Sequence, residues 1–141
     1  MIRGYFEPRH GLPGIEPWPM VAAFVYLPRL NLSRWVRFLV DIGADVTCVN
    51  LRDAVRLIPD FSALTANSPL SGVGQGTSTY ASEASSLIFL DTDGRPVLED
   101  LPALLIATPD CPPNLPSLLG RDILARYTLE LNIRDRQLRL L

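Results

Sequence analysis

Phe38-Leu39-Val40-Asp41-Ile42-Gly43-Ala44-Asp45-Val46-Thr47 is the stretch on which the reading of this chain turns. An apolar run with β-branched and aromatic residues has the composition of a buried strand, yet it ends in an acid. A charge at the rim of an apolar core is costly unless it is paired, hydrogen-bonded or protonated. Gly43 frees the backbone to turn sharply just after that acid. A second acid, Asp45, and a hydroxyl, Thr47, follow at once. A carboxylate held on a tight turn at the edge of a core is a candidate functional group.

Working outward, Met20–Leu27 is strongly apolar and Pro28 to Ser33 supplies turn residues. Arg34, Val36 and Phe38 alternate with Trp35, Arg37 and Leu39, so residues 20–41 read as a β-hairpin. Before it, Ile2–Phe6 reads as a short strand, and Gly11, Pro13, Gly14, Pro17 and Pro19 make the rest of residues 1–19 an extended arm. After the central stretch, Val46–Val49 reads as a short strand. Asn50 is a good helix N-cap with Asp53 at the third helical position. Leu51, Ala54, Val55 and Ile58 recur at helical spacing, and Pro59 ends that helix. Asp60–Leu70 is polar and reads as irregular.

Ser71-Gly72-Val73-Gly74-Gln75-Gly76 carries alternate glycines, which free φ and let a backbone approach a ligand closely. No Gly-Lys-Ser/Thr follows, so it is not a phosphate-binding P-loop. Thr77–Leu90 reads as one long strand or two bent ones. Asp93-Gly94 is a hairpin turn, with the return at Pro96–Leu98 and a further strand at Leu101–Ala107. A loop with four prolines leads to Leu118-Leu119-Gly120-Arg121-Asp122, with a short helix over Arg121–Arg126. Tyr127–Ile133 and Gln137–Leu141 read as a terminal hairpin. Short strands, few helices and glycine-rich turns give an all-β class: a closed or partly closed barrel with one or two short helices. Residues 1–19 are the arm and residues 20–141 the domain.

Composition narrows the chemistry. At 141 residues, with 48% hydrophobic and 20% charged residues, the chain suits one globular domain. Its 13 basic residues are all arginine, and the net charge of −2 gives no electrostatic footprint for nucleic acid. No run approaches the length of a membrane span, and the N-terminus lacks the apolar core of a signal peptide. The expected location is therefore the cytoplasm, with Cys48 and Cys111 as reduced thiols. One histidine, His10, and two cysteines do not supply a structural zinc site, and no metal or other cofactor is expected. The same shortage argues against Ser-His-Asp or Cys-His catalysis, which leaves carboxylates to do any chemistry.

The order of these motifs, Asp41-Ile42-Gly43-Ala44, the glycine tip, then Leu118-Leu119-Gly120-Arg121-Asp122, resembles the retropepsin-like aspartic protease family over residues from about 20 to 141. The resemblance implies an acid-protease barrel and an aspartic endopeptidase. Peptide hydrolysis without a metal needs a water activated by one carboxylate while a second carboxyl polarises the scissile carbonyl. This chain holds one such Asp, so its twin comes from a second copy and the expected partners are a homodimer mate and a peptide substrate. The resemblance further implies that Asp41 is catalytic, that Gly43 meets substrate through its backbone, and that Asp45 pairs with Arg121. It also implies that Thr47 braces the loop and that Gly72, Val73, Gly74, Gln75 and Gly76 form a flap. The terminal hairpin offers a sheet edge to the partner.

Ile42 departs from the family pattern, which has Thr or Ser there. The family's hydroxyl bonds the partner's loop across the dimer axis, and Ile has neither donor nor acceptor. Losing such bonds costs ~1 kcal/mol each. Two further readings stay open. One is a catalytically weakened or silent homologue that binds a peptide or partner. The other is a β-rich structural module.

Overall fold

The computed structural model describes residues 1–9, 14–64, 67–71 and 77–141. The glycine tip Gly72–Gly76 and His10 lie outside the described residues. The strands are β1 (Ile2–Arg3), β2 (Tyr5–Glu7), β3 (Trp18–Leu27), β4 (Leu32–Val40), β5 (Cys48–Val49), β6 (Asn67–Ser71), β7 (Thr77–Leu90), β8 (Pro96–Ala107), β9 (Ser117–Leu119), β10 (Leu129–Asn132) and β11 (Gln137–Leu140). Two short helices, α1 (Leu51–Leu57) and α2 (Arg121–Leu124), complete it with a 3-10 turn at Phe61–Ala63.

The larger sheet runs β2-β3-β4-β9-β5-β8-β7-β6, and a further β3–β7 pairing joins its two halves. The strands from β3 through β4, β9, β5 and β8 to β7 thus close into a six-stranded barrel. Along β4, Val36, Phe38 and Val40 point into the core while Trp35 and Arg37 face outward, as the alternation predicts. They meet Val25, Leu87, Phe89, Leu104, Ile106 and Leu119 in one apolar cluster. Ile123 of α2 and Leu138 and Leu140 of β11 belong to the same cluster. Closure leaves few bare edges, and no described helix is long and apolar enough to cross a membrane.

Three local expectations are corrected. The two segments expected at Pro96–Leu98 and Leu101–Ala107 form one strand, β8, because its partner β7 runs unbroken beside it apart from an irregularity between Glu83 and Ser85. Asp60–Leu70 is not wholly irregular: Asp60 caps the 3-10 turn, accepting from the Ser62 N–H at 3.0 Å, and Asn67–Ser71 pairs with β7 as β6. Ile2–Phe6 is two strands rather than one. Gly4 separates β1 from β2 where a Cβ would lie 2.6 Å from the Met20 carbonyl oxygen.

The smaller sheet has the order β1-β11-β10. It is built by the two ends of the chain, with Ile2 opposite Leu140 and Leu131 opposite Leu138.

Candidate active site

The site is assembled by two parallel strands, β4 and β9, paired Phe38 with Ser117, Leu39 with Leu118 and Val40 with Leu119. Both strands end in a turn at the same level. The Asp41 N–H continues the ladder by donating to the Leu119 carbonyl at 3.1 Å. The chain then turns on itself: the Ala44 N–H donates to the Asp41 carbonyl at 3.2 Å, and the Gly43 N–H to Asp41 Oδ1 at 2.9 Å. The carboxylate of Asp41 is half-buried at the strand end with one oxygen oriented by this local bond. Gly43 is placed so that a Cβ would meet that same oxygen at 3.2 Å.

The second turn grips the first. The Arg121 N–H donates to the Ala44 carbonyl at 2.9 Å, and Arg121 Nη1 to the Ile42 carbonyl at 2.7 Å. Arg121 Nη2 forms an ion pair with Asp45. Both side chains of that pair are largely exposed, and exposed pairs contribute only ~0–1 kcal/mol. The stronger hold lies below it. Thr47 is fully buried. Its N–H donates to Asp122 at 2.9 and 3.0 Å, its hydroxyl donates to Asp122 Oδ1 at 2.6 Å, and its Oγ1 accepts from the Gly120 N–H at 3.0 Å. Charge-assisted bonds of this kind are roughly twice as strong as neutral ones. Asp122 also accepts from the Ile123 N–H at 2.9 Å, so one carboxylate ties the loop to the start of α2.

Thr47→Val keeps the shape and removes the hydroxyl. It leaves the Gly120 N–H without its acceptor in a buried place, which should cost about 2 kcal/mol. Thr47→Ser should recover most of that loss. Urea unfolding of the three proteins is the measurement.

Gly120 is the closest approach in the site. A Cβ there would lie 2.5 Å from the Val46 carbonyl carbon, 2.6 Å from its oxygen and 3.0 Å from the Thr47 nitrogen. Leu118 and Leu119 bring it to that contact: Leu118 pairs with Leu39 and Cys48, and Leu119 is buried in the core.

Sequence reading missed a polar network beneath the loop. Asn50 stands at the N-cap of α1 but makes no side-chain cap bond. Its Oδ1 instead accepts from the Tyr80 hydroxyl at 2.7 Å, and its Nδ2 donates to the Pro116 carbonyl at 2.5 Å. The Asn50 N–H donates to Ser117 Oγ at 3.0 Å, and that hydroxyl donates to Asp53 at 2.6 Å. The partners lie 30 to 67 positions away, so no local pattern announces them. They bind α1, β7 and β9 together directly behind β5.

Cys48, next to this network, is buried in an apolar cluster with Leu51, Tyr80, Ala107 and Cys111. Burial pushes its thiol from 9.0 up to about 12. The protonated form is thus favoured by the fold. The contribution is complete below the unfolded thiol's ordinary value and is lost as pH rises from about 9 toward 12, by about 1.4 kcal/mol per pH unit. Stability should be unaffected by this group through pH 8 and fall above pH ~9. Iodoacetamide at pH 8 should leave Cys48 unlabelled in the native protein and label it in guanidinium.

Ile42 sits at the tip of the first turn and is 66% exposed. Among the described residues, no group of three or more His, Cys, Asp or Glu side chains is placed to hold a metal ion. The arrangement is one oriented carboxylate on a locked turn, with an apolar side chain beside it facing outward.

Comparison with known proteins agrees with this geometry. Residues 19–132 match the family described as retroviral aspartyl protease. No curated protein sequence matches. Among solved structures, a retropepsin-like aspartic protease from Rickettsia conorii is similar at 15% identity and a TM-score of 0.56, over 97% of this chain and 87% of that one. The EIAV protease in complex with the inhibitor HBY-793 aligns at 20% identity and a TM-score of 0.42, over 82% of this chain and 92% of that one. The barrel is that of the retropepsin-like fold, and by the match across most of its length the chain belongs to the retroviral aspartyl protease family.

Proposed function

We propose that this chain is an aspartic endopeptidase that works as a homodimer, with Asp41 contributed once by each copy. The observation that carries the reading is the half-buried Asp41 carboxylate at the end of β4, oriented by the Gly43 N–H on a turn latched to Arg121. Two such carboxylates across a two-fold axis share one proton, because like charges a few Å apart cannot both ionise. The ionised member takes a proton from water as that water attacks the scissile carbonyl carbon. The protonated member donates a hydrogen bond to the carbonyl oxygen, and the leaving amine then takes up a proton. The pair titrates as a unit. In this reading Gly43 and Asp45 meet the peptide main chain, Thr47 and Arg121 hold the loop, and Gly72–Gly76 cover the cleft and exclude water.

Mixing tests it. When wild-type subunits exchange with Asp41→Asn subunits, peptide cleavage should fall as the square of the wild-type fraction, since each site needs both carboxylates. A linear fall would show that each chain carries a complete site, and would overturn the reading.

Ile42 favours a second reading: a domain that binds a peptide or partner but turns over weakly. A tip that is 66% exposed and lacks a hydroxyl must meet its mate through apolar contact alone. Displacement of the carboxylates by ~1 Å would cost ~10²-fold in rate. A gain in turnover of that order in Ile42→Thr supports the second reading. An unchanged rate shows that Ile is tolerated.

A further inference from the structure

We propose that Arg29 and Glu83 are positioning residues, whose ion pair sets where the β6–β7 hairpin stands and so sets the protein's grip on a peptide. The inference rests on the endopeptidase reading above, in which the end of that hairpin covers the cleft.

Glu83 is a charge at a core-facing position. Along β7, Ala81, Glu83, Ser85, Leu87 and Phe89 share the buried side, as alternation requires, and Glu83 is 3% exposed. A carboxylate there is costly unless it is paired. Arg29 meets it from another part of the chain: Nε donates to Glu83 Oε2 at 3.1 Å, and Nη2 donates to Oε1. Two N–H groups on two oxygens fix direction as well as distance. The same Nη2 also donates to the Ala63 carbonyl.

These contacts join three segments. Arg29 belongs to the turn between β3 and β4, closed by the Asn31 N–H on the Pro28 carbonyl at 3.3 Å. Ala63 ends the 3-10 turn that leads toward β6. β6 and β7 pair from Ser71 with Thr77 back to Asn67 with Ala81, and Glu83 follows just beyond. One guanidinium therefore holds both roots of the hairpin, the incoming chain at Ala63 and the outgoing strand at Glu83, against a turn of the barrel. The backbone ladder is interrupted beside it. Glu83 pairs with Leu104 and Ser85 with Leu101, so β8 uses an extra residue there. Pro102 lies in that stretch and has no N–H to give.

Stability alone does not call for a charge at this place. Buried ion pairs hold a fold no better than apolar side chains of similar volume. What the bidentate pair supplies, and a leucine does not, is a fixed direction. At ~3.3 Å per residue, Thr77 lies about 20 Å along the strand from Glu83. A tilt of about 10° at the root would carry the Thr77 end by roughly 3 Å. A grip made alike on substrate and transition state shows in KM rather than kcat.

Three variants test this. Arg29→Lys keeps the charge and loses the bidentate geometry. Glu83→Gln keeps the shape and loses the charge. Arg29→Met with Glu83→Leu replaces the pair by apolar side chains. Each should raise KM for a peptide substrate ~10-fold, with kcat held within about twofold. Amide hydrogen exchange should quicken ~10-fold in β6 and residues 77–81, and keep its wild-type rate at Asp41, Ala44 and Thr47. The double apolar variant should melt at or above the wild-type temperature, which separates positioning from support. Wild-type KM and wild-type hairpin exchange in that double variant would make the pair a packing contact and overturn the proposal. So would a lowered melting temperature with faster exchange throughout the barrel in all three variants. If the wild type cleaves no peptide, the endopeptidase reading fails by itself. Exchange then decides the clamp alone: quickening confined to the hairpin upholds it, and an unchanged hairpin overturns it.

Discussion

Asp41→Asn is expected to lower peptide cleavage by about 10³–10⁴-fold, the scale of a lost general acid–base group, while the fold survives. The reason for survival is local. The one described bond to the side chain comes from the Gly43 N–H to Oδ1 at 2.9 Å, and the amide oxygen of Asn accepts it equally well. The reason for the loss is electronic. An amide cannot take a proton from water at neutral pH, and a pair of amides cannot share one. The variant should therefore retain the wild-type mass in sedimentation and its thermal unfolding midpoint to within a few degrees. It should also retain binding of a statine-type inhibitor more weakly, since the inhibitor's hydroxyl loses its charged acceptor. Cleavage by Asp41→Asn at the wild-type rate would remove Asp41 from the chemistry.

Gly120→Ala should be strongly damaging. The added Cβ falls 2.5 and 2.6 Å from the carbon and oxygen of the Val46 carbonyl. These are backbone atoms, and their neighbours are fixed: the Thr47 N–H is bonded to Asp122, and the Ala44 carbonyl accepts from the Arg121 N–H. No flexible side chain can yield. Overpacking a tight core costs about 1–3 kcal/mol and occasionally more, and the rigid neighbours place this case at ~3 kcal/mol or above. For a chain of this size that lowers the melting temperature by about 10 °C. Whatever the loop gives up, it gives up between Asp41 and Thr47, so activity should fall even below the melting range. A Gly120→Ala protein with an unaltered midpoint would show that the two turns are not in contact at this distance.

These two substitutions divide the site into its chemistry and its support, and the two were not equally legible. Asp41 stood out because an apolar strand that ends in an acid and a glycine is a local conflict that sequence alone displays. The six-stranded barrel was legible for a similar reason. Alternation along β4, the turn residues after β3, and Asp93-Gly94 before β8 are all short-range signals. Where the reading slipped, a partner far along the chain overrode a local preference. β6 appears in a segment that looks irregular because β7 offers an edge there. β8 is continuous because β7 beside it is. Asn50 has the sequence of a helix cap, but its amide is taken by Tyr80 and Pro116.

The sequence by itself determined the all-β class and the hairpin that carries the candidate carboxylate, which follow from residue type and spacing, while the Asp45–Arg121 pair was implied by the family resemblance. Tertiary structure alone decided that Asp122 holds Thr47 from 75 residues away, and that Gly120 is compulsory because backbone lies against it. The physical reason is that hydrogen bonds and close contacts between distant segments depend on how strands β4 and β9 come to lie side by side. That outcome of barrel closure is written nowhere in the neighbours of either residue.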